Sequence, residues 1–236
     1  MRNTWLRWLA VAGLIVGGVA CGGGDDEVVV PTAADLAEDL IDVDTFDGDW
    51  TVNVPPGVED AESGIVTDEM QEMLPSLDLC DEATDASRAA AESVEWMAFR
   101  QIDLQVDDPI EPPDDRSGNM VFVQEFLIAG EPSEIEELFE LLRDGTEACL
   151  GEIPAGEEGP GVSEEIELPD IGDDRFGALN VFTEAGDWAE WRIHGGLIRD
   201  TTVLAMITVI DIRADADPYY TPDQVGDMMA TAVELL

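Results

Sequence analysis

The stretch Trp188-Ala-Glu-Trp-Arg-Ile-His194 decides the fold of this chain. From Glu190 onward, charged or polar residues alternate with large apolar ones, which is typical of a strand with two different faces. Two apolar stretches flank it, residues 178–183 and 201–212, and the connections, residues 184–187 and Gly195-Gly196, are short and rich in turn residues. Short connections join antiparallel neighbours, so these stretches predict an antiparallel sheet.

Two further strands and two longer helices complete the predicted domain. Residues 94–104 and 120–128 are rich in residues that suit a pleated sheet, whereas residues 151–161 are rich in Gly, Pro and Glu and predict a loop. Helical periodicity follows Pro132 and Thr221. Strands in blocks, with helices between and after them, indicate an α+β fold with a single domain: a twisted antiparallel sheet of about five strands with helices packed on one face.

The N-terminal segment predicts export. Arg2 and Arg7 precede a short apolar stretch, residues 8–20, which ends in small residues directly before Cys21. This order is typical of a signal peptide that is cleaved before a lipid-modified cysteine. Two other outcomes stay open, because Gly18-Val-Ala20 also fits an ordinary secretory cleavage site and the apolar stretch could remain as an uncleaved anchor.

The predicted organisation of the chain follows from that cysteine. Residues 1–20 form the lipoprotein signal peptide, residues 21–31 a flexible acidic tether, and residues 32–236 one extracytoplasmic domain. Acyl chains on Cys21 would hold the protein at the outer face of the cell membrane. The membrane, reached through this anchor, is therefore the first predicted partner.

Charge excludes one class of partner. Beyond residue 20 the chain carries 8 arginines, no lysine and 55 acidic residues, a formal charge of −47. Such a field repels nucleic acid, so nucleic-acid binding is excluded. The acids are spread along the whole chain, which favours a salt-adapted, soluble surface over a docking patch for cations or basic partners.

Two cysteines remain after Cys21. Outside the cytoplasm Cys80 and Cys149 are expected to pair, which would close a loop of about 70 residues and stabilise the domain by roughly 4 kcal/mol in the chain-entropy model. A metal or redox site is the alternative, but no CxxC spacing and no nearby histidine supports it.

The candidate ligand-binding residues lie on the stretch quoted first. A period of two places Glu190, Arg192 and His194, the single histidine, on one face of the strand. Arg192 could clamp an anion there, which would make the three residues the wall of a ligand site. The alternative is a solvated sheet face with cross-strand ion pairs.

Catalytic, metal and cofactor motifs are absent from the sequence. No GxSxG elbow occurs, and one histidine with two cysteines expected to pair leaves only carboxylates as metal ligands. The densest acidic groups, residues 42–49 and 211–217, do not fit the EF-hand pattern, and such clusters arise by chance in a chain this acidic. Calcium binding stays open, and neither a resident metal nor a cofactor is predicted.

The order of these features resembles a known family. A lipidation cysteine, Asp49-Trp50, Cys80, Cys149 and the segment Leu168-Pro-Asp-Ile-Gly-Asp173 are similar to actinobacterial cell-surface lipoproteins related to the PknH-like extracellular sensor domain. The resemblance implies a twisted antiparallel sheet with helices around a cleft, an unidentified ligand and no enzymatic activity. The kinase-linked members have two disulfides, whereas this chain has cysteines for one, so details of their cleft do not transfer.

These observations favour a non-enzymatic, lipid-anchored extracytoplasmic module that binds a small molecule, an envelope component or a partner protein. The alternatives are a carboxylate-dependent envelope hydrolase and a purely structural surface lipoprotein. A hydrolase needs two converging acids with shifted pKa values, whereas a binding module needs a mostly apolar cleft with few polar anchors.

The anchor and the disulfide can be tested together by intact-mass analysis of membrane-extracted protein with and without reductant. We expect a mass that lacks residues 1–20 and includes lipid on Cys21, and a gain of two hydrogens on reduction. Retention of the first twenty residues, or protein found inside the cell with Cys80 and Cys149 reduced, would contradict the export prediction.

Overall fold

One antiparallel sheet of eight strands organises the domain. The computed structural model describes residues 28–53, 64–66, 80, 83–86, 89–90, 98–104, 120–156, 159–183, 190–213 and 218–236. The strands are β1 (Trp50–Asn53), β2 (Ala98–Leu104), β3 (Met120–Ala129), β4 (Gly151–Gly156), β5 (Gly159–Ile166), β6 (Asp174–Thr183), β7 (Glu190–Asp200) and β8 (Val203–Arg213). Their order across the sheet is β1-β2-β3-β8-β7-β6-β5-β4. The longer described helices are α1 (Ala33–Glu38), α2 (Pro132–Glu147) and α3 (Pro222–Val233).

The strand order explains the position of α2. Strands β1 to β3 are consecutive neighbours, and strands β4 to β8 form a meander that returns the chain to β3. The chain leaves β3 near the middle of the sheet and re-enters it at the far edge as β4, so the intervening α2 crosses one face of the sheet. Its contacts with β7 and β8 show this path.

The α+β class is confirmed, but the prediction of about five strands is wrong. The five predicted strands correspond to β2, β3, β6, β7 and β8, and the sheet also contains β1, β4 and β5. Residues 151–161 were predicted as a loop, but residues 151–156 form β4 and residues 159–161 begin β5 at this end of the sheet, while residues 157 and 158 lie outside the described residues. An edge strand pairs with one neighbour and is little covered by other elements, so it needs few apolar residues. A segment rich in Gly, Pro and Glu can therefore form such a strand although its composition is typical of a loop.

The prediction that helices pack on one face is also wrong, because both faces are covered. Helices α1 and α3 pack on the face that carries Val123, Ile207 and Ile198, here called the α1/α3 face. Helix α2 packs on the opposite face against Phe126, Ile128 and Leu204, here called the α2 face. Nine of the eleven residues of β8 are buried, so this strand needs a cover on each side.

Strand β7 does not end where the sequence predicted. It continues through Gly195-Gly196 to Asp200, and the turn into β8 lies at Thr201-Thr202. Thr201 adopts a positive φ of 35°, and its hydroxyl and N–H both donate to Asp173 Oδ2. The two glycines therefore lie inside a strand, where glycine often marks close approach of another group.

The predicted Cys80–Cys149 disulfide is confirmed. The two Cα atoms lie 5.8 Å apart and the residues are 69 positions apart in sequence. Cys149 follows the end of α2 directly, so the bridge ties this end of the helix to a distant part of the chain. Cys149, Ile153 and Phe182 form a small apolar cluster beside it on the α2 face.

A buried carboxyl group holds the end of the α1 segment against the sheet. Glu125 in β3 is fully buried on the α1/α3 face and accepts a 2.7 Å hydrogen bond from the Ile41 N–H. Arg100 in β2 lies opposite Glu125 and donates to the Ile41 carbonyl at 3.4 Å. Burial raises the pKa of Glu125 to about 8, although the Ile41 hydrogen bond and the Arg100 charge oppose this shift.

Glu125→Gln should remove one source of pH dependence from the stability of the domain. The pKa of Glu125 rises from 4.5 unfolded to about 8 folded, so ionisation favours unfolding as the pH rises through this window. The free energy of unfolding of the wild type then falls by up to ~1.4 kcal/mol per pH unit. Glutamine keeps an acceptor for Ile41 without ionising. Urea unfolding between pH 5 and pH 8 measures the difference between variant and wild type.

The matched control is Glu137→Gln, which neutralises an exposed carboxylate on α2. We expect its free energy of unfolding to follow that of the wild type across the same range. A Glu125→Gln profile parallel to the wild-type profile would show that Glu125 is ionised throughout in the folded protein.

Candidate functional site

A pocket opens on the α2 face between the C-terminal part of α2 and strands β6, β7 and β8. Its volume is about 440 Å³ when the open solvent at its mouth is included. Most of its wall is apolar and comes from Phe176, Ala178, Ile193, Leu197 and Met206. Its polar side chains are Thr146, Asn180 and Thr208.

The pocket exists because three adjacent strands carry small residues at the same level. Gly195 in β7 lies opposite Ala178 in β6 and opposite Thr208 in β8. A Cβ atom on Gly195 would have one atom within 4 Å, the Ala178 carbonyl oxygen at 3.9 Å, so the space above this glycine is open. Larger side chains bound the hollow on both sides along the strands, with Leu197 on one side and Ile193 on the other.

The neighbouring glycine faces the other way and serves packing. A Cβ atom on Gly196 would lie 2.7 Å from Met229 Sδ, and Met229 in α3 is fully buried. Gly196 therefore lets α3 approach the α1/α3 face, while Gly195 leaves room on the α2 face. Sequence reasoning assigned both glycines to a turn; two adjacent glycines within an otherwise apolar strand were the available signal.

Asn180, one of the residues that line the pocket, has an unsatisfied polar atom. Its side chain is 3% exposed, and its Oδ1 has no hydrogen-bond partner among the described residues. Thr146 differs from it, because its hydroxyl donates to the Leu142 carbonyl at 2.9 Å within α2. An unpaired buried acceptor costs ~1–3 kcal/mol, which a donor on a bound molecule would offset.

The predicted residues Glu190, Arg192 and His194 share one face, but it is the face opposite the pocket. The register places Arg192 opposite Asp211 and Glu190 opposite Arg213, so unlike charges face each other across β7 and β8. Within the strands, Arg192 Nε lies 2.5 Å from Glu190 Oε1 and Arg213 Nε 3.2 Å from Asp211 Oδ1. Ion pairs therefore occupy this surface, and ligand binding by the three residues stays a prediction.

His194 does not belong to a solvated surface. It is 1% exposed, and burial, together with the charge of Arg192, lowers its pKa to about 4. The imidazole is therefore neutral at pH 7. Its Nδ1 lacks a hydrogen-bond partner among the described residues, but its ring is directed away from the pocket on the other side of β7.

The acids with raised pKa values do not converge as a hydrolase would require. Burial raises the pKa of Asp211 as well as that of Glu125, and Asp211 Oδ2 accepts the Tyr219 N–H at 2.5 Å. Glu125 pairs with Ile207 in the register, four residues from Asp211 along β8. At ~3.3 Å per residue the two backbone positions are about 13 Å apart, and each carboxyl accepts the N–H of a different segment, Ile41 for Glu125 and Tyr219 for Asp211.

No three His, Cys, Asp or Glu side chains in the described part of the chain converge as a metal-ligand set. Residues 42–49 are described and form no such set, whereas residues 214–217 of the second acidic group lie outside the described residues, as does Cys21. Over the residues that the structure covers, no helix combines the length and apolarity needed to cross a membrane.

Comparisons with known proteins give a similarity in structure alone. No family model and no curated protein matches the sequence. The extracellular domain of PknH from Mycobacterium tuberculosis matches with 10% identity and a TM-score of 0.40, covering 75% of this chain and 94% of that chain. An uncharacterised Mycobacterium smegmatis protein, the Rv0999 ortholog, matches with 11% identity and a TM-score of 0.33, covering 65% and 74%.

The PknH domain represents the family that the sequence resembles, so the predicted resemblance is confirmed as a similarity. At TM-scores this low, the similarity says nothing about a ligand or an activity.

The two glycines should respond in opposite ways to alanine. Gly195→Ala adds a methyl group in open space and removes flexibility from the unfolded chain, so we expect an unchanged or ~0.4–1 kcal/mol higher free energy of unfolding. Gly196→Ala forces Cβ against the buried Met229, so we expect a loss of ~1–3 kcal/mol. Urea unfolding measures both, and equal effects would contradict the assignment of the two faces.

Proposed function

We propose that this chain is a lipid-anchored, extracytoplasmic module that binds a small molecule in the α2-face pocket and catalyses no reaction. The observation that carries the proposal is the hollow above Gly195, whose apolar wall surrounds one buried, unpaired acceptor on Asn180. Ligand sites typically combine an apolar wall with a few placed polar groups.

The composition of the wall supports binding without catalysis. Within the described residues that line the pocket, none is acidic, basic, histidine or cysteine. General acid–base catalysis needs such a group within hydrogen-bond reach of the reacting atoms, and the Thr146 and Thr208 hydroxyls would need a neighbouring base to act as nucleophiles. The buried carboxyls Glu125 and Asp211 lie on the other face of the sheet and hold backbone N–H groups instead.

The anchor and the disulfide support a location outside the cytoplasm. Disulfides persist in oxidising compartments, and the Cys80–Cys149 bridge stabilises the end of α2 next to Thr146 in the pocket wall. A tether of residues 21–31 would reach at most ~40 Å from the lipid on Cys21 to the domain. The module would thus present its pocket near the membrane, exposed to molecules of the envelope.

Filling the hollow tests the proposal. Gly195→Val projects a branched side chain into the pocket from a strand, where valine is favoured, so we expect a folded protein that no longer binds. A panel of uncharged fluorinated aromatic fragments, titrated into the full chain and observed by ¹⁹F NMR, reports binding without knowledge of the natural ligand.

The matched control is Val162→Thr, a valine on β5 that is 51% exposed on the opposite face. We expect fragments to bind the wild type and the Val162→Thr protein equally, and binding to be lost in Gly195→Val. Fragments that bind the wild type and both variants equally would be bound outside the pocket, which would contradict the proposed site. A panel without a single binder would contradict a ligand-binding role.

A further inference from the structure

The buried amide of Asn180 specifies the chemistry of a ligand in the pocket. Asn180 lies in β6 between Ser163 of β5 and Ile193 of β7, on the α2 face. Neither Asn180 Oδ1 nor Ser163 Oγ has a hydrogen-bond partner among the described residues, and both side chains are more than nine-tenths buried. Buried acceptors are nearly always paired, so the unpaired Asn180 Oδ1 points to a donor on a molecule that enters the pocket from outside.

We propose that the pocket selects an uncharged molecule with an apolar body and one hydroxyl or N–H group that donates to Asn180 Oδ1. This inference rests on the proposed function and adds the ligand class to it. Phe176, Ile193, Leu197 and Met206 contact the apolar body, and Asn180 fixes its orientation.

Charge excludes ionic ligands from this site. An anion would enter the field of a chain that carries 55 acidic residues and 10 arginines, and no described side chain of the pocket wall could pair with it. A cation would be attracted to the surface, but the wall offers no carboxylate to compensate for the loss of water. The pocket therefore favours uncharged molecules, because their transfer from water does not require the desolvation of a charge.

The hydrogen bond supplies the selectivity. A site built around a buried acceptor rejects an analogue that lacks the donor, because the acceptor then stays unpaired while water is excluded. The apolar wall alone distinguishes little between analogues of equal size. We therefore expect a donor to improve the affinity about tenfold over a methylated analogue of the same ring.

Three probes of similar size test this at neutral pH: 4-fluorophenol donates, 4-fluoroanisole has its oxygen methylated, and 4-fluorobenzoate is an anion. Each is titrated into the full chain and observed by ¹⁹F NMR, with detergent-only titrations subtracted. We expect 4-fluorophenol to bind the wild type about tenfold more tightly than either other probe. Asn180→Leu, which keeps the branching at Cγ without the acceptor, should reduce 4-fluorophenol to the affinity of 4-fluoroanisole.

The wild-type ratio of the three probes decides the inference even if Asn180→Leu does not fold. Equal or tighter binding of 4-fluoroanisole or 4-fluorobenzoate, lost in Gly195→Val, would overturn the ligand class and leave the proposed pocket standing. Binding of none of the probes, or binding that Gly195→Val does not change, would overturn the pocket as well.

Discussion

The central strand β8 must be covered on both faces, and the rest of the structure depends on this constraint. Its buried residues alternate between the α1/α3 face and the α2 face, so a helix on one side alone would leave a row of apolar side chains in water. Helices α1 and α3 cover one side and α2 covers the other. The pocket lies where the α2 cover crosses a row of small side chains, Ala178, Gly195 and Thr208.

The strands that could be predicted are the ones that bury most apolar surface. Residues 120–128 and 201–212 are almost continuously apolar and correspond to β3 and β8. The edge strand β4 and its neighbour β5 are rich in Gly, Pro and Glu, because this end of the sheet needs little hydrophobic cover and charged residues at an edge oppose association with other chains. The nearly continuous apolar run of β8 indicates two buried faces, so the sequence already carried a signal against helices on one face alone.

The candidate site shows a second limit of sequence reasoning. A period of two correctly places Glu190, Arg192 and His194 on one face, because this depends on one strand alone. The burial of His194 depends on the elements packed over it, and the hollow above Gly195 depends on the register of three adjacent strands, β6, β7 and β8. Two adjacent glycines after an apolar stretch are typical of a turn, and Gly195 was therefore assigned to one. The open space around Gly195 comes from the small side chains of Ala178 and Thr208 on the neighbouring strands, which the sequence of β7 alone does not show.

The sheet separates the proposed ligand site from the segment that follows the predicted tether. That segment is held on the α1/α3 face, where Glu125 accepts the Ile41 N–H, while the pocket lies on the α2 face. A ligand that binds the folded domain stabilises it by ~2.7 kcal/mol at a concentration of one hundred times Kd. The pocket borders α2, whose C-terminal end the Cys80–Cys149 bridge already holds. A ligand in the pocket and the segment that holds Ile41 therefore contact opposite faces of the same sheet.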